Sequence, residues 1–226
     1  MNAHDHLHID LRVSLPPSDG RIFFPGGDCL LATTYDTDGT VRLARLLATI
    51  LRSGDVVCMD GDLGAGKTAF AAGLASGLGI QGVIPSPTFT ILHEYVIEPG
   101  GRLLPNRNHS NPDGIQPKSD GIQPDSDEIR YLYHFDVYRL HGEDDFYTMG
   151  FDEYLGSEGS LCILEWAARV RGALPPSAIQ ILMNRCDEAS GEDVLHQQRR
   201  ILLCFPRGDD RGERLRQLLQ ETVPVR

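Results

Sequence analysis

The sequence predicts an α/β fold, a mixed and mostly parallel sheet flanked by helices in three layers. Three observations carry that expectation. Short apolar runs at residues 55–60, 161–165 and 179–183 have the form of strands buried on both faces. Helix-period or turn-rich segments stand between several of the strand-like runs, the alternation from which a parallel sheet is built. A glycine-rich turn joins the strand at 55–60 to an alanine-rich helix over 69–78, which Gly79 closes.

Taken in order, residues 1–28 hold Pro16-Pro17, Asp19-Gly20 and Gly26-Gly27 around a single short apolar pair, Phe23-Phe24, and read as a flexible N-terminal extension. Residues 29–34 read as the first strand, with order starting near Cys29. Thr40 reads as the N-cap of a helix that presents Leu43, Leu46, Leu47, Ile50 and Leu51 on one face and ends at Gly54. After the alanine-rich helix, residues 89–97, 129–136, 161–165, 179–183 and 200–205 read as strands. The charged, periodic segment 208–221 predicts a closing helix with Leu215, Leu218 and Leu219 facing inward.

Residues 29–226 are thus expected to form one domain, interrupted by an insertion at about 99–128 where the composition changes abruptly. There Asp113-Gly-Ile-Gln-Pro-Lys-Ser is followed seven residues on by Asp120-Gly-Ile-Gln-Pro-Asp-Ser. A seven-residue period with Gly and Pro in each copy sustains neither a helix nor a central strand. The segment is expected to be a disordered, solvated loop between two strands of a hairpin.

Composition narrows the function. Thirty-two acidic against 21 basic residues give a net charge of −11, which disfavours non-specific binding to nucleic acid or acidic membranes. Any connection to RNA would run through a partner. Lys67 and Lys118 are the only lysines, so a lysine used at a specific site stands out. The five cysteines are widely spaced, with no C-x-x-C pair, and fit reduced thiols in a cytosol. His4, His6 and His8 alternate near the start and read as a polar tail. No run of about twenty apolar residues and no signal-peptide pattern occurs, so the expected location is cytoplasmic, away from membranes.

The segment Gly61-Asp-Leu-Gly-Ala-Gly-Lys-Thr68 satisfies G-x-x-x-x-G-K-[ST] between a strand signal and a helix, the context that gives the pattern meaning. A polyphosphate needs backbone amides to converge on its oxygens, and Gly61, Gly64 and Gly66 permit the approach and turn. The backbone of Ala65 and Ala69 belongs to the same cradle. The helix beginning near Lys67 aims its positive end there, Lys67 adds a full charge for the β- and γ-phosphates, and Thr68 supplies a hydroxyl for magnesium. A nucleoside triphosphate and Mg2+ are the expected ligands on a P-loop NTPase-like fold. Asp136 and Glu165 end strand-like runs and are the candidate catalytic and metal carboxylates, because ligands of open α/β sheets lie beyond the carboxyl ends of the strands. The Ser86-Pro-Thr88-Phe-Thr90 loop falls where a nucleotide-sensing switch would be, with Thr88 as its site hydroxyl.

Together, the glycine-rich segment, Ser86-Pro-Thr-Phe-Thr90, His134-Phe-Asp-Val-Tyr-Arg-Leu140, Met149-Gly-Phe151 and Glu165-Trp166 resemble the bacterial TsaE family, over about residues 30–205. The resemblance implies that the nucleotide is ATP and the chain an ATPase of tRNA threonylcarbamoyladenosine (t6A) biosynthesis. It would act with TsaB and TsaD on adenosine 37 of tRNAs reading A-starting codons, and touch tRNA only indirectly. It implies phosphate and magnesium binding by Lys67 and Thr68, a magnesium-linked catalytic role for Glu165, and supporting roles for Asp136 and Thr88. It places Thr37 and Thr40 near the nucleobase, Arg199 as a further nucleotide contact, and Trp166 beside the site. Ala69 departs from the family, which often has a second Thr there, and the repeat and N-terminal extension are not family features. The competing readings are a P-loop small-molecule or nucleotide kinase, with Arg169 and Arg171 as lid residues, and a non-hydrolysing nucleotide-dependent scaffold.

Overall fold

The computed structural model describes residues 7–13, 29–82, 84–97, 103–105, 128–186 and 198–222. In chain order these form β1 (Leu7–Val13), β2 (Cys29–Thr34), α1 (Thr37–Ala48), β3 (Asp55–Gly61), α2 (Lys67–Gly77), β4 (Leu92–Ile97), β5 (Leu103–Pro105), β6 (Tyr131–Asp136), α3 (Glu143–Thr148), β7 (Ser160–Glu165), β8 (Ile179–Arg185), β9 (Arg199–Cys204) and α4 (Arg211–Thr222). Two 3-10 turns, Phe151–Tyr154 and Ala167–Ala173, precede and follow β7.

The continuous apolar runs take the centre of the sheet, where both faces are covered. β8, β3, β7 and β6 pair in parallel, and every residue of β7 is buried. Antiparallel strands complete both sides, giving the order β1-β2-β9-β8-β3-β7-β6-β4-β5. Alternation sorts the side chains between two layers. Val57, Met59, Leu161, Ile163 and Leu132 pack with Leu43 and Leu47 of α1, Phe70 and Leu74 of α2, and Leu215 and Leu219 of α4. Val56, Cys58, Cys162, Leu164 and Phe135 pack on the opposite face with Phe146 of α3 and Val170 of the second 3-10 turn. The inward face expected of the closing helix is therefore present, with Leu218 only partly buried at its margin.

Helix α1 begins earlier than the sequence suggests. Asp36, extended at φ −154°, accepts the Gly39 amide at 2.7 Å and is the N-cap, so Thr40 lies inside the first turns. Thr40 is fully buried, donates to the Asp36 carbonyl, and stands 2.9 Å from the Thr34 hydroxyl. The helix also stops at Ala48 with Thr49 as C-cap, short of Ile50, Leu51 and Gly54. α1 and α2 approach closely because a Cβ on Gly73 would meet the Ala44 Cβ at 2.7 Å, and one on Gly77 the Ala48 Cβ at 2.5 Å.

Within the expected N-terminal extension, residues 7–13 form β1 and pair antiparallel with β2, so ordered structure begins before Cys29. The remainder of that segment lies outside the described residues. β4 and β6 are the antiparallel strands flanking the expected insertion, and β5 adds a short strand to β4 from inside it. The repeat at 113–126 lies outside the described residues. Cys29 and Cys204 face each other across the β2–β9 pair, their Cα atoms 4.2 Å apart, and form a disulfide. This corrects the expectation that all five thiols are reduced. The two cysteines are 175 residues apart, and only the sheet topology brings them together.

Candidate functional site

The turn between β3 and α2 runs through three glycines with positive φ: Gly61 at +140°, Gly64 at +77° and Gly66 at +100°. At Gly61 the requirement is absolute, since a Cβ would fall 1.9 Å from the Met183 carbonyl oxygen on neighbouring β8. Gly66 occupies the N-cap of α2 without a side chain to close it. The first amides of the helix and its positive dipole end therefore face the turn, the arrangement that receives anions. From behind, Arg199 Nε donates to the Ala65 carbonyl at 3.1 Å and braces the turn.

Lys67, the first residue of α2, is only 5% exposed. Its Nζ donates to the carbonyls of Gly61 and Asp62 at 2.8 and 2.9 Å and lies 3.8 Å from the centroid of the Trp166 ring. Burial lowers the lysine pKa from its ordinary value, against the opposing pull of Glu165, Asp60, Asp136 and Asp62.

The two strand-end carboxylates are set side by side by the parallel register, in which Asp136 on β6 stands opposite Glu165 on β7. Leu132 and Ile163, spaced by two or four residues from these acids, belong to the layer of α2, which puts both carboxylates on the face of the cradle. Glu165 accepts the Thr68 hydroxyl through both oxygens at 3.0 and 3.1 Å, and its Oε1 is 3.0 Å from His134 Nε2. Asp136 accepts the Thr88 hydroxyl at 2.7 Å and the Tyr138 amide at 3.1 Å. Ser86 in turn lies 2.7 Å from Thr88, whose own hydrogen goes to Asp136, so Ser86 is the donor. The 86–90 loop is thereby tied to the carboxylate through two hydroxyls.

After Glu165 the chain turns sharply. Trp166 adopts φ +64° and its amide donates to the Met59 carbonyl at 2.8 Å. Asp60, on the opposite sheet face, accepts the Ala168 amide at 3.0 and 3.2 Å and secures the far side of the turn. That geometry holds the indole over Lys67.

These groups surround a cavity of about 430 Å³ lined by Leu63, Gly64, Gly66, Lys67, Thr68, Ala69, Ser86, Thr88, Asp136, Tyr138, Glu165 and Trp166. Of the residues singled out from sequence, Gly64, Gly66, Lys67, Thr68, Ala69, Thr88, Asp136 and Glu165 line it together. Gly61 and Ala65 belong to the turn that forms its floor. Thr37, Thr40 and Arg199 are not among the lining residues: Thr37 opens α1 and is exposed, Thr40 is consumed by Thr34 and Asp36, and Arg199 is 6% exposed behind the turn. Arg169, an exposed residue, donates to the Leu140 carbonyl at 3.2 Å and lies over the Tyr138 ring. Sequence reasoning did not assign roles to His134 and Tyr138, although each stands two residues from Asp136, where strand alternation or the following turn brings it to the same place.

Fold and site together define a P-loop-type α/β protein. The family model described as "Threonylcarbamoyl adenosine biosynthesis protein TsaE" matches residues 34–105 and 123–194, and the chain belongs to the TsaE family. The unmatched stretch between those two blocks contains the first copy of the repeat and the start of the second. The chain is 36% identical over 159 residues to the tRNA threonylcarbamoyladenosine biosynthesis protein TsaE of Bacillus subtilis, covering 70% of this chain and 80% of that one. The protein of the same name from Treponema pallidum is 37% identical over 153 residues, covering 68% of this chain and 87% of its own length. The crystal structure of Bacillus subtilis YdiB superposes with a TM-score of 0.54 at 31% identity, covering 85% of this chain and 95% of that one.

Proposed function

We propose that this chain is a magnesium-dependent ATPase of t6A biosynthesis. It would act in the cytoplasm with TsaB and TsaD to drive modification of adenosine 37 in tRNAs reading A-starting codons, without contacting tRNA directly or transferring the threonylcarbamoyl group itself. The observation that carries the reading is the meeting of Lys67, Thr68, Glu165 and Asp136 in one cavity at the mouth of the Gly61–Gly66 turn. The acidic balance of the chain fits a protein whose partners are proteins. Among the described residues no helix is long and apolar enough to cross a membrane.

The residues fit a magnesium nucleotide. The cavity volume lies within the range of small-molecule sites, about 300–1,000 Å³. Thr68, Glu165 and Asp136 are hard oxygen donors of the kind magnesium uses together with substrate phosphates. Bound through them, magnesium would neutralise charge on the β- and γ-phosphates.

The chain's own residues do the rest. Lys67 has two of its three hydrogens on backbone carbonyls, and incoming phosphate oxygens offer stronger, charge-assisted acceptors for the same ammonium. Thr68 gives its hydrogen to Glu165, which leaves the oxygen lone pairs for a cation. Glu165 carries the negative charge beside the reacting end, while Asp136 links that end to the Ser86–Thr88 loop. The Trp166 ring shields Lys67 from water on one side.

Calorimetry with magnesium ATP, followed by phosphate release with and without purified TsaB and TsaD, tests the reading. Binding heat and slow turnover that rises with both partners are expected. No heat removes the nucleotide assignment; turnover indifferent to TsaB and TsaD removes the assigned role.

A further inference from the structure

His134 lies within β6 and is fully buried, two residue pairs deeper than the Asp136–Glu165 pair and on the same sheet face, opposite Ile163 of β7. Its Nε2 is 3.0 Å from Glu165 Oε1. An ionised carboxylate only accepts, so the ring hydrogen of this contact is on Nε2. The second ring nitrogen, Nδ1, has no hydrogen-bond partner among the described residues. A half-satisfied imidazole in a buried strand is costly where an apolar residue would cost nothing, and local conflicts of this kind mark functional positions.

We propose that His134 is a positioning residue that holds the Glu165 carboxylate on Thr68; the proposal rests on the ATPase reading above. Glu165 is drawn electrostatically toward Lys67, and a direct pairing would occupy the ammonium needed for phosphate. The Nε2–H bond, together with the Thr68 hydroxyl on the same oxygen, fixes the carboxylate plane against that pull. His134 therefore keeps two opposite charges separate in one small cavity, each available for its own ligand. Outer partners that orient a ligating side chain act in this way without touching substrate.

The test compares His134→Leu with His134→Gln. The glutamine amide reaches roughly the place of Nε2 and donates; leucine cannot. With magnesium ATP, kcat of His134→Leu should fall about 10- to 100-fold while KM changes far less, and His134→Gln should recover most of the loss. A leucine variant at wild-type rate, or a glutamine variant as impaired as leucine, overturns the proposal. The ring nitrogens of the full-length wild-type protein provide an independent reading by 15N NMR. A protonated, hydrogen-bonded Nε2 that changes on Glu165→Ala is expected, and a bare Nε2 overturns the proposal whether or not the variants fold. Absence of hydrolysis by the wild-type chain would instead remove the ATPase reading, with the His134–Glu165 bond still decided by NMR.

Discussion

Glu165→Gln separates charge from shape at the centre of the site. Glutamine keeps the length of the side chain and an oxygen for the His134 and Thr68 hydrogens, but loses the negative charge that only 3% exposure leaves nearly dry. A carboxylate acting on the reacting groups contributes typically about 10²–10⁴-fold, so kcat should fall at least about 100-fold, equivalent to about 2.7 kcal/mol of barrier. Nucleotide binding should be largely retained, because Lys67 and the helix start hold the phosphates. Glu165→Ala adds a second effect: the buried His134 Nε2–H loses its acceptor, at a cost of about 1–3 kcal/mol. For a chain of this size that lowers Tm by about 2–12 °C, whereas glutamine should stay close to wild type. Phosphate release with TsaB and TsaD, calorimetry and thermal unfolding measure the three quantities on the same proteins. A glutamine variant turning over within tenfold of wild type, or one losing as much affinity as Lys67→Ala, would refute the assignment.

Lys67→Ala should abolish magnesium ATP binding in calorimetry. In the wild-type chain, affinity should be flat near neutral pH and fall on the alkaline side, starting below the ordinary lysine pKa of 10.5: burial lowers the value, the free ammonium is lost early, and phosphate binds the protonated form. Affinity that persists unchanged through that range would show that the ammonium is not the anchor. Gly61→Ala and Gly79→Ala both place a Cβ at positive φ, but only Gly61 meets backbone, the Met183 oxygen at 1.9 Å; Gly79 has nothing within 4 Å. Urea unfolding should therefore show about 1 kcal/mol lost at Gly79 and well over twice that at Gly61. Excising residues 106–122, the stretch the family match skips, should leave folding and hydrolysis intact; an insoluble product would show that this stretch is structural.

The cradle was legible because its chemistry is local. Glycines that turn the chain, a lysine and a threonine at the start of a helix, and the strand before them are contiguous, so spacing alone places them. Asp136 and Glu165 were legible for a related reason, since parallel strands end at one edge and strand-end acids collect there. His134 was not, because its role depends on the register that sets it beside β7. The early start of α1 was also missed: Asp36 and Thr40 are both acceptable caps, and the choice went to the residue whose extended backbone presents its carboxylate to Gly39.

By itself, then, the sequence determined the α/β class, the anion-binding turn and the acids that face it, all of which follow from residue type and short-range periodicity. Tertiary structure alone decided which strands adjoin. It brought Cys29 against Cys204, set Arg199 behind the turn instead of within the cavity, and put the Trp166 ring over Lys67. The reason is physical: a side chain's local preferences fix its own conformation, but its partner across a sheet is fixed by how the whole chain buries its apolar faces.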